Sequence, residues 1–484
     1  MKRRSVLAAA GAMLLAACTV GPDYRRPPPV AIPVTWKLEA PWREGTPNDT
    51  APKGNWWERF SDPHLTGLVQ QSLAANQTLV AASARLEQAR STLASASAGL
   101  YPQVGVGGRF AHQRISANRP LTRYNVPNAA TTQNDFVLSV VVAYEPDLFG
   151  RIQRSIEGAA ATAEQSAADL ENTRLVITAD LATAYFNLRT TDTELDVLAR
   201  SIGLQRRALE YVTTRRDLGA ASGLDVAQQQ ALLDITLTQV NVLRKNRAQF
   251  EHAIATLIGT PAPMFSLAPD LGRVTPPPVP LGVPSDVLER RPDVAAAERA
   301  MAAANAQIGV ATSAFYPSFV MAPFYGAEST SLGNLFSLPS VIWSVGVSVL
   351  QPIFNAGRLQ ANVDFTKAGY DVTVANYRRI VLTAMQEVED GISGTVTLDQ
   401  AHAQAQVAVE STKRVLDLAN TRYDGGVSAY LDVITAQQAL LNTERQAAQL
   451  HGQRLLISVF LVKALGGDWD TNAAQSAVDP KLAR

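Results

Sequence analysis

Leu224-Asp225-Val226 recurs as Leu431-Asp432-Val433, an offset of 207 residues, and this repetition decides how the chain is read. Working outward, Gly150-Arg151 recurs as Gly357-Arg358 and Gly259 as Gly466 at the same offset. Tyr101-Pro102 and Tyr316-Pro317 pair at 215, so the upstream part has gained a few residues in between. A spacing held over such a length marks one structural unit written twice.

Proline sets the organisation, because each one removes a backbone donor and clashes with the preceding helical turn. Nine of the 27 prolines lie between 22 and 63, nine more between 261 and 292, and none in 147–260 or 353–479. The two proline-free zones have apolar residues at helical spacing and read as long helices, 148–218 and 355–424. At 1.5 Å per residue each is roughly 105 Å long, more than a compact domain needs. Leu181, Leu188, Leu195, Ile202 and Leu209 sit seven apart with Tyr185, Leu198 and Val212 between them, a seam that packs as a coiled coil. Shorter helices are expected over 62–99, 224–259, 285–314 and 428–465, with Asp62-Pro63 opening the first. Two shorter helices end to end match one long helix, and the Pro-rich 261–284 lies where they meet.

Each unit also holds two strands, at about 101–110 and 135–145 and at about 315–325 and 341–350. Phe136, Leu138, Val140, Val142 and Tyr144 alternate in one, and Val341, Trp343, Val345, Val347 and Val349 in another. Strands of about 9 to 11 residues with one apolar face suit a membrane-spanning β-barrel, although a soluble two-hairpin sheet has the same pattern. Four strands cannot close a barrel, and an open sheet in lipid leaves edge N–H and C=O groups unpaired. Several copies must then share one barrel. Two copies supply eight strands and a filled interior, three supply twelve and a lumen, and the count alone leaves both open.

The composition excludes several classes. With 43 Lys plus Arg against 43 Asp plus Glu and 46% hydrophobic residues, the 484-residue chain has neither a basic tract for nucleic acid nor a disordered composition. Its single cysteine rules out an intrachain disulfide framework. No uncharged apolar run reaches the roughly 20 residues of a spanning helix. His64, His112, His252, His402 and His451 are scattered without metal-ligand spacing, and His402 is expected as a buried or half-buried polar spacer in the second seam. No phosphate-binding glycine loop or nucleophile elbow appears, so the reading is not an enzyme, needs no cofactor and takes its energy from a partner.

Met1-Lys-Arg-Arg4 followed by the apolar stretch from Val6 to Ala16 reads as a secretory leader over 1–17. It ends in Leu15-Ala-Ala-Cys18, which resembles a bacterial lipobox. That resemblance implies cleavage before Cys18, a diacylglycerol and an N-acyl chain on it, and, with Thr19 next, sorting to the outer membrane. An ordinary leader with an incidental cysteine is the alternative.

Five further stretches carry a family resemblance: Cys18-Thr-Val-Gly-Pro-Asp-Tyr24, Trp56-Trp57-Glu-Arg-Phe60-Ser-Asp62-Pro63-His-Leu65, Glu145-Pro-Asp147-Leu-Phe149-Gly150-Arg151, Glu289-Arg290-Arg291-Pro292-Asp293-Val294 and Gln351-Pro352-Ile-Phe354-Asn-Ala-Gly357-Arg358. Together they resemble the lipoprotein branch of TolC-type outer-membrane efflux factors, the group often labelled NodT. Tyr144 and Pro146 depart from the family's usual Trp and aliphatic residue at the strand-to-helix junction. The resemblance implies an α+β membrane protein with two tandem repeats, four transmembrane strands and long coiled-coil helices per protomer. It also implies a homotrimer with a twelve-stranded β-barrel in outer-membrane lipid and an α-helical barrel in the periplasm of a Gram-negative bacterium. Such a protein is the passive exit duct of a tripartite efflux pump, completed by a periplasmic adaptor and an inner-membrane transporter, commonly of the resistance-nodulation-division class. Segments 111–133 and 327–340 would face outside and the tips near 219–223 and 425–430 the adaptor. The implied layout is leader 1–17, lipidated extended segment 18–61, first repeat 62–260, connector 261–284, second repeat 285–467 and tail 468–484.

Gly219 and Gly425-Gly426 suit the left-handed ends of helices, and Asp225 and Asp432 come closely after them. Repeated around a symmetry axis, such carboxylates form an anionic ring that repels anions and attracts cations. The resemblance places Asp432, Asp225 and Tyr423 at the family's periplasmic gate. Ser428 stands where the linking arginine is expected, with Arg422 as a substitute. The same aspartates also suit plain helix capping. At the level of function the alternative to a duct is a non-conducting coiled-coil lipoprotein serving as scaffold or adhesin.

Overall fold

The computed structural model describes residues 19–25, 54–118, 130–272, 274–277 and 291–467. Cys18, the leader and the tail lie outside the described residues, as do most of 18–61, part of the 111–133 segment and part of the connector. The chain forms two compact units.

The first unit draws on residues 86–165 and 298–376 together with 19–25. Its strands are β1 (Gln103–Ile115), β2 (Thr131–Ala143), β3 (Ser318–Met321), β4 (Phe324–Ser329), β5 (Val341–Ser344) and β6 (Val347–Leu350). The sheet order is β1-β2-β4-β5, all antiparallel, with β3 paired to β6. The expected third and fourth strands are therefore each split in two. Pro323 explains the first break: it has no N–H for the ladder, yet its carbonyl still accepts from Val142 N at 2.9 Å. Tyr144 bridges back to Met321, so β3 and β4 lie along one line beside β2. The second break falls at Val345-Gly346, where glycine weakens a strand. The segment expected as one loop over 327–340 belongs partly to β4 and otherwise forms two 3-10 turns, Leu332–Asn334 and Leu338–Ser340.

Several of the apolar strand residues are exposed: Val106 is 74% exposed, Trp343 70% and Val347 57%, while Phe136, Val142 and Tyr144 are half-buried. Phe110 and Phe136, opposite in the ladder, have ring centroids 4.8 Å apart and planes tilted by 35°. Among the described residues β1 and the β5/β6 line have no ladder neighbour on their outer sides. Bare edges and a bare apolar face are the two features that a sheet surrounded by lipid and by copies of itself would satisfy.

The second unit draws on residues 54–85, 166–297 and 377–467. A 3-10 turn, Trp56–Phe60, leads into α1 (Pro63–Ala75) and α2 (Gln77–Ala98), where one helix over 62–99 was expected. Asn76 causes the break. Its side-chain oxygen accepts from Thr78 N at 2.9 Å and Leu79 N at 3.2 Å, and its amide donates to Leu257 O at 2.8 Å, which holds Asn76 extended as a cap.

The long helices are α3 (Arg151–Asp217) and α6 (Arg358–Asp424), 67 residues each, and both begin just after a glycine with positive φ, Gly150 and Gly357. The returning helices are α4 (Gly223–Leu257) and α7 (Tyr430–Ala464), 35 residues each. The shorter α5 (Pro292–Ser313) begins seven residues later than expected, at the proline, with 285–290 outside the described residues.

Trp56, Phe60, Leu65, Leu181, Tyr185, Phe186, Leu188 and Ile254 form the main core of the second unit. Each buried side chain of this size contributes about 1.5–3 kcal/mol. The heptad seam continues through Leu198, Ile202 and Val212, all buried, with Leu195 and Leu209 half-buried. His402 is half-buried on α6, with its ring 5.6 Å from that of His451 on α7 and its Nδ1 3.2 Å from Arg454 Nη1. Among the described residues no helix is long and apolar enough to cross a membrane.

Candidate gate at the helix tips

The two helix turns are built alike. After α3, Gly219 adopts φ +76°, its N–H donates to Arg216 O at 2.8 Å, and Ala220 N donates to Arg215 O at 2.7 Å. After α6, Gly426 adopts φ +71°, its N–H donates to Tyr423 O at 3.0 Å, and Val427 N donates to Arg422 O at 3.0 Å. Both close the helix by the glycine motif that satisfies the last carbonyls. Arg215 and Arg422 are thus equivalent residues of the two repeats.

The symmetry fails at the starts of the returning helices. Ser222 caps α4 in a capping box: its Oγ accepts from Asp225 N at 3.1 Å, and Asp225 Oδ2 accepts from Ser222 N at 2.9 Å. The equivalent residue before α7 is Ala429, which has no side-chain cap. Asp432 is exposed in the first turn of α7, and among the described residues its carboxylate has no hydrogen-bond partner. Asp225 thus forms a capping box, whereas Asp432 keeps only the favourable place of an acid in a first helical turn.

Tyr423 is buried, with its ring 4.9 Å from Tyr430 and the Arg215 guanidinium 4.8 Å above its centroid. Among the described residues its buried hydroxyl has no hydrogen-bond partner, and neither has that of Ser428. Burial raises the Tyr423 phenol above its ordinary value, against the opposing pull of Arg215. Arg215 also donates to Tyr211 Oη at 3.2 Å, and Tyr211 in turn donates to Asp424 at 2.9 Å. Arg422 projects into solvent.

Of the candidate residues, Tyr423 thus lies inside the tip, Asp225 is tied to a cap, and Asp432 and Arg422 remain exposed. Sequence reasoning missed Arg215, Tyr211 and Asp424, although the 207-residue offset from Arg422 marks Arg215. It also missed Tyr430, whose hydroxyl donates to the buried Gln229 at 2.8 Å and whose phenol burial holds well above its ordinary value. Among the described residues there is no cluster of three or more His, Cys, Asp or Glu for a metal.

Mirrored helix hairpins with carboxylates at their tips, joined to an unfinished sheet, define a protomer of an outer-membrane channel. The chain belongs to the outer membrane efflux protein family, which it matches over residues 68–260 and 283–467. It is 32% identical over 477 residues to the toluene efflux pump outer membrane protein TtgF of Pseudomonas putida, covering 97% of this chain and 98% of that protein. It is also 32% identical over 474 residues to the antibiotic efflux pump outer membrane protein ArpC of Pseudomonas putida, with 96% of each covered. Among solved structures it resembles the outer-membrane channel OprN, with a TM-score of 0.84 and 30% identity over 93% of this chain and 100% of that one. The fold is that of TolC-like outer-membrane channels. The protein is an outer-membrane efflux component that acts as a passive duct and not as an enzyme.

Proposed function

We propose that the chain is the gated exit duct of a tripartite pump for small molecules, formed as a homotrimer whose copies each give four strand lines to one twelve-stranded barrel. A periplasmic adaptor meets the helix tips, and an inner-membrane transporter of the resistance-nodulation-division class supplies energy. Cys18 carries a diacylglycerol and an N-acyl chain that anchor the mature protein in outer-membrane lipid. The layout is a leader over 1–17, a lipidated segment over 18–61, repeats over 62–260 and 285–467, a connector between them and a tail from 468.

Asp432 is the principal gate residue, with Tyr423 packed behind it and Asp225 and Arg422 nearby on the tip loops. The observation that supports this is the difference between the two tips: Asp225 accepts from the Ser222 backbone N–H in a closed capping box, whereas Ala429 has no side-chain oxygen to close one and, among the described residues, the Asp432 carboxylate has no hydrogen-bond partner. Three carboxylates around an axis form an anionic ring that excludes anions and holds cations at the narrow point, so removing them frees the passage. In planar bilayers, Asp432→Ala is expected to raise the resting conductance of the reconstituted protein. Asp225→Ala should leave conductance close to wild type and lower stability by about 1 kcal/mol through the lost cap. Equal resting conductance in wild type and Asp432→Ala would rule out the gate role.

A further inference from the structure

Residues 19–23 lie in a groove formed by the start of α3 and the later turns of α5. Val20 N donates to Phe149 O at 3.3 Å, and Asn305 Nδ2 donates to Pro22 O at 2.9 Å. Arg154 makes three further bonds to the segment: Nε to Val20 O at 3.4 Å, and Nη2 to Gly21 O at 3.3 Å and to Asp23 Oδ1 at 2.8 Å. Its side chain is only 5% exposed, whereas that of Asp23 is 86% exposed.

Glycines make room for this approach. Gly21 adopts φ +106°, and a Cβ there would stand 2.6 Å from Gly309 Cα. A Cβ on Gly150 would meet Thr19 Cα at 2.9 Å, and one on Gly309 would meet Arg154 Cγ at 2.8 Å. At Gly21 and Gly150 the obstructing atoms are backbone and at Gly309 they belong to the Arg154 side chain, so a side chain at any of the three would displace the segment or its arginine.

The segment both covers and pairs the guanidinium. A buried guanidinium must keep its donors paired. Besides the segment, Arg154 has Glu157 on its own helix, 2.8 Å away. Residues 19–23 thus supply the acceptors for its Nε and Nη2, which water would otherwise solvate. The segment also joins the two repeats, since α3 belongs to the first and α5 to the second.

We propose that this groove is a binding site for the chain's own residues 19–23, with Arg154 as its positioning residue, and that it holds the acylated N-terminus at a fixed point beside the β2–α3 junction. The inference rests on the proposed acylation of Cys18, one residue before the held segment. The lipid is then placed by the fold and not by the length of a free tether.

The test uses full-length protein with Arg25→Cys carrying a nitroxide, purified in detergent. With Cys18 acylated, mass spectrometry finds one label per chain, and the wild-type groove gives an immobilised spectrum. Arg154→Ala, which removes three bonds from a charged group, should raise the ratio of mobile to immobile spin by about tenfold or more, and Asp23→Asn, which removes an exposed charge but keeps an acceptor oxygen, by about two- to fivefold. Asp23→Asn lies on the segment itself and leaves the helices intact. Glu157→Gln should leave the spectrum immobile. A mobile wild-type spectrum, or spectra that neither Arg154→Ala nor Asp23→Asn changes, would overturn the proposal. Two labels per chain would refute acylation alone, and a Cys18→Ser background would then still report the groove through the single label.

Discussion

The Tyr185 hydroxyl donates a 2.6 Å hydrogen bond to Asp62, 123 residues earlier, while the other oxygen of the same carboxylate accepts from His64 N at 2.8 Å and Leu65 N at 3.1 Å. One aspartate thus caps α1 and joins it to the middle of α3 inside the main core. Asp62→Ala removes a cap worth about 1 kcal/mol and leaves a buried phenol unsatisfied, so the combined loss should be about 2–4 kcal/mol. Tyr185→Phe should cost about 1 kcal/mol. Chemical denaturation in detergent checks the order of the two.

Alkaline pH should destabilise the protein through its buried phenols. Burial raises Tyr185, aided by Asp62, and burial raises Tyr430. The unfolded chain releases these protons from about pH 10, whereas the folded chain keeps them. The stabilisation is therefore complete below about pH 10 and is lost as the pH rises beyond it. Melting temperature against pH should be flat up to that point and then fall, and Tyr430→Phe should make the fall shallower.

Arg291 explains part of the motif around Pro292. Its buried guanidinium reaches Glu387 at 2.7 Å, Asp293 at 2.7 Å and the carbonyl of Ala464 at 2.9 Å, so it pins the start of α5 to α6 and to the end of α7. Arg291→Ala removes charged bonds to two half-buried carboxylates and to a helix-terminal carbonyl and should cost about 1.5–3 kcal/mol. Arg291→Lys should recover only part of this, because a lysine cannot reproduce the forked geometry. Thermal unfolding of the two variants distinguishes them.

Gly452 sets how closely α7 approaches α3. A Cβ there would collide with the side chain of Thr190. Gly452→Val should cost about 1–3 kcal/mol by overpacking. Adding Thr190→Ala should return part of the loss, since that substitution removes the colliding atoms. A double-mutant cycle on unfolding midpoints would show the coupling as non-additivity.

The repeat, the long helices and the strand positions were legible because they depend on local chemistry: proline spacing, the heptad seam from Leu181 to Leu209 and alternation along a strand. Pro323 also splits the third strand by local chemistry. The break at Asn76 was hidden because asparagine leaves a helix only when something rewards it, here the carbonyl of Leu257, 181 residues away. At the tips, the offset marks Asp225 and Asp432 as equivalent, yet the difference between them lies in their neighbours Ser222 and Ala429. Arg215 over Tyr423 joins residues 208 apart, which no local pattern announces.

The order of elements, the duplication and the need of the apolar strands for a nonaqueous neighbour come from the residues alone, because periodicity and backbone sterics act over a few positions at a time. Which carboxylate is already bound, which arginine lies over which ring, and where the N-terminal segment rests were decided only by the folded chain. Each of these depends on atoms distant in sequence coming within about 3–5 Å, a range over which hydrogen bonds and cation–π contacts act.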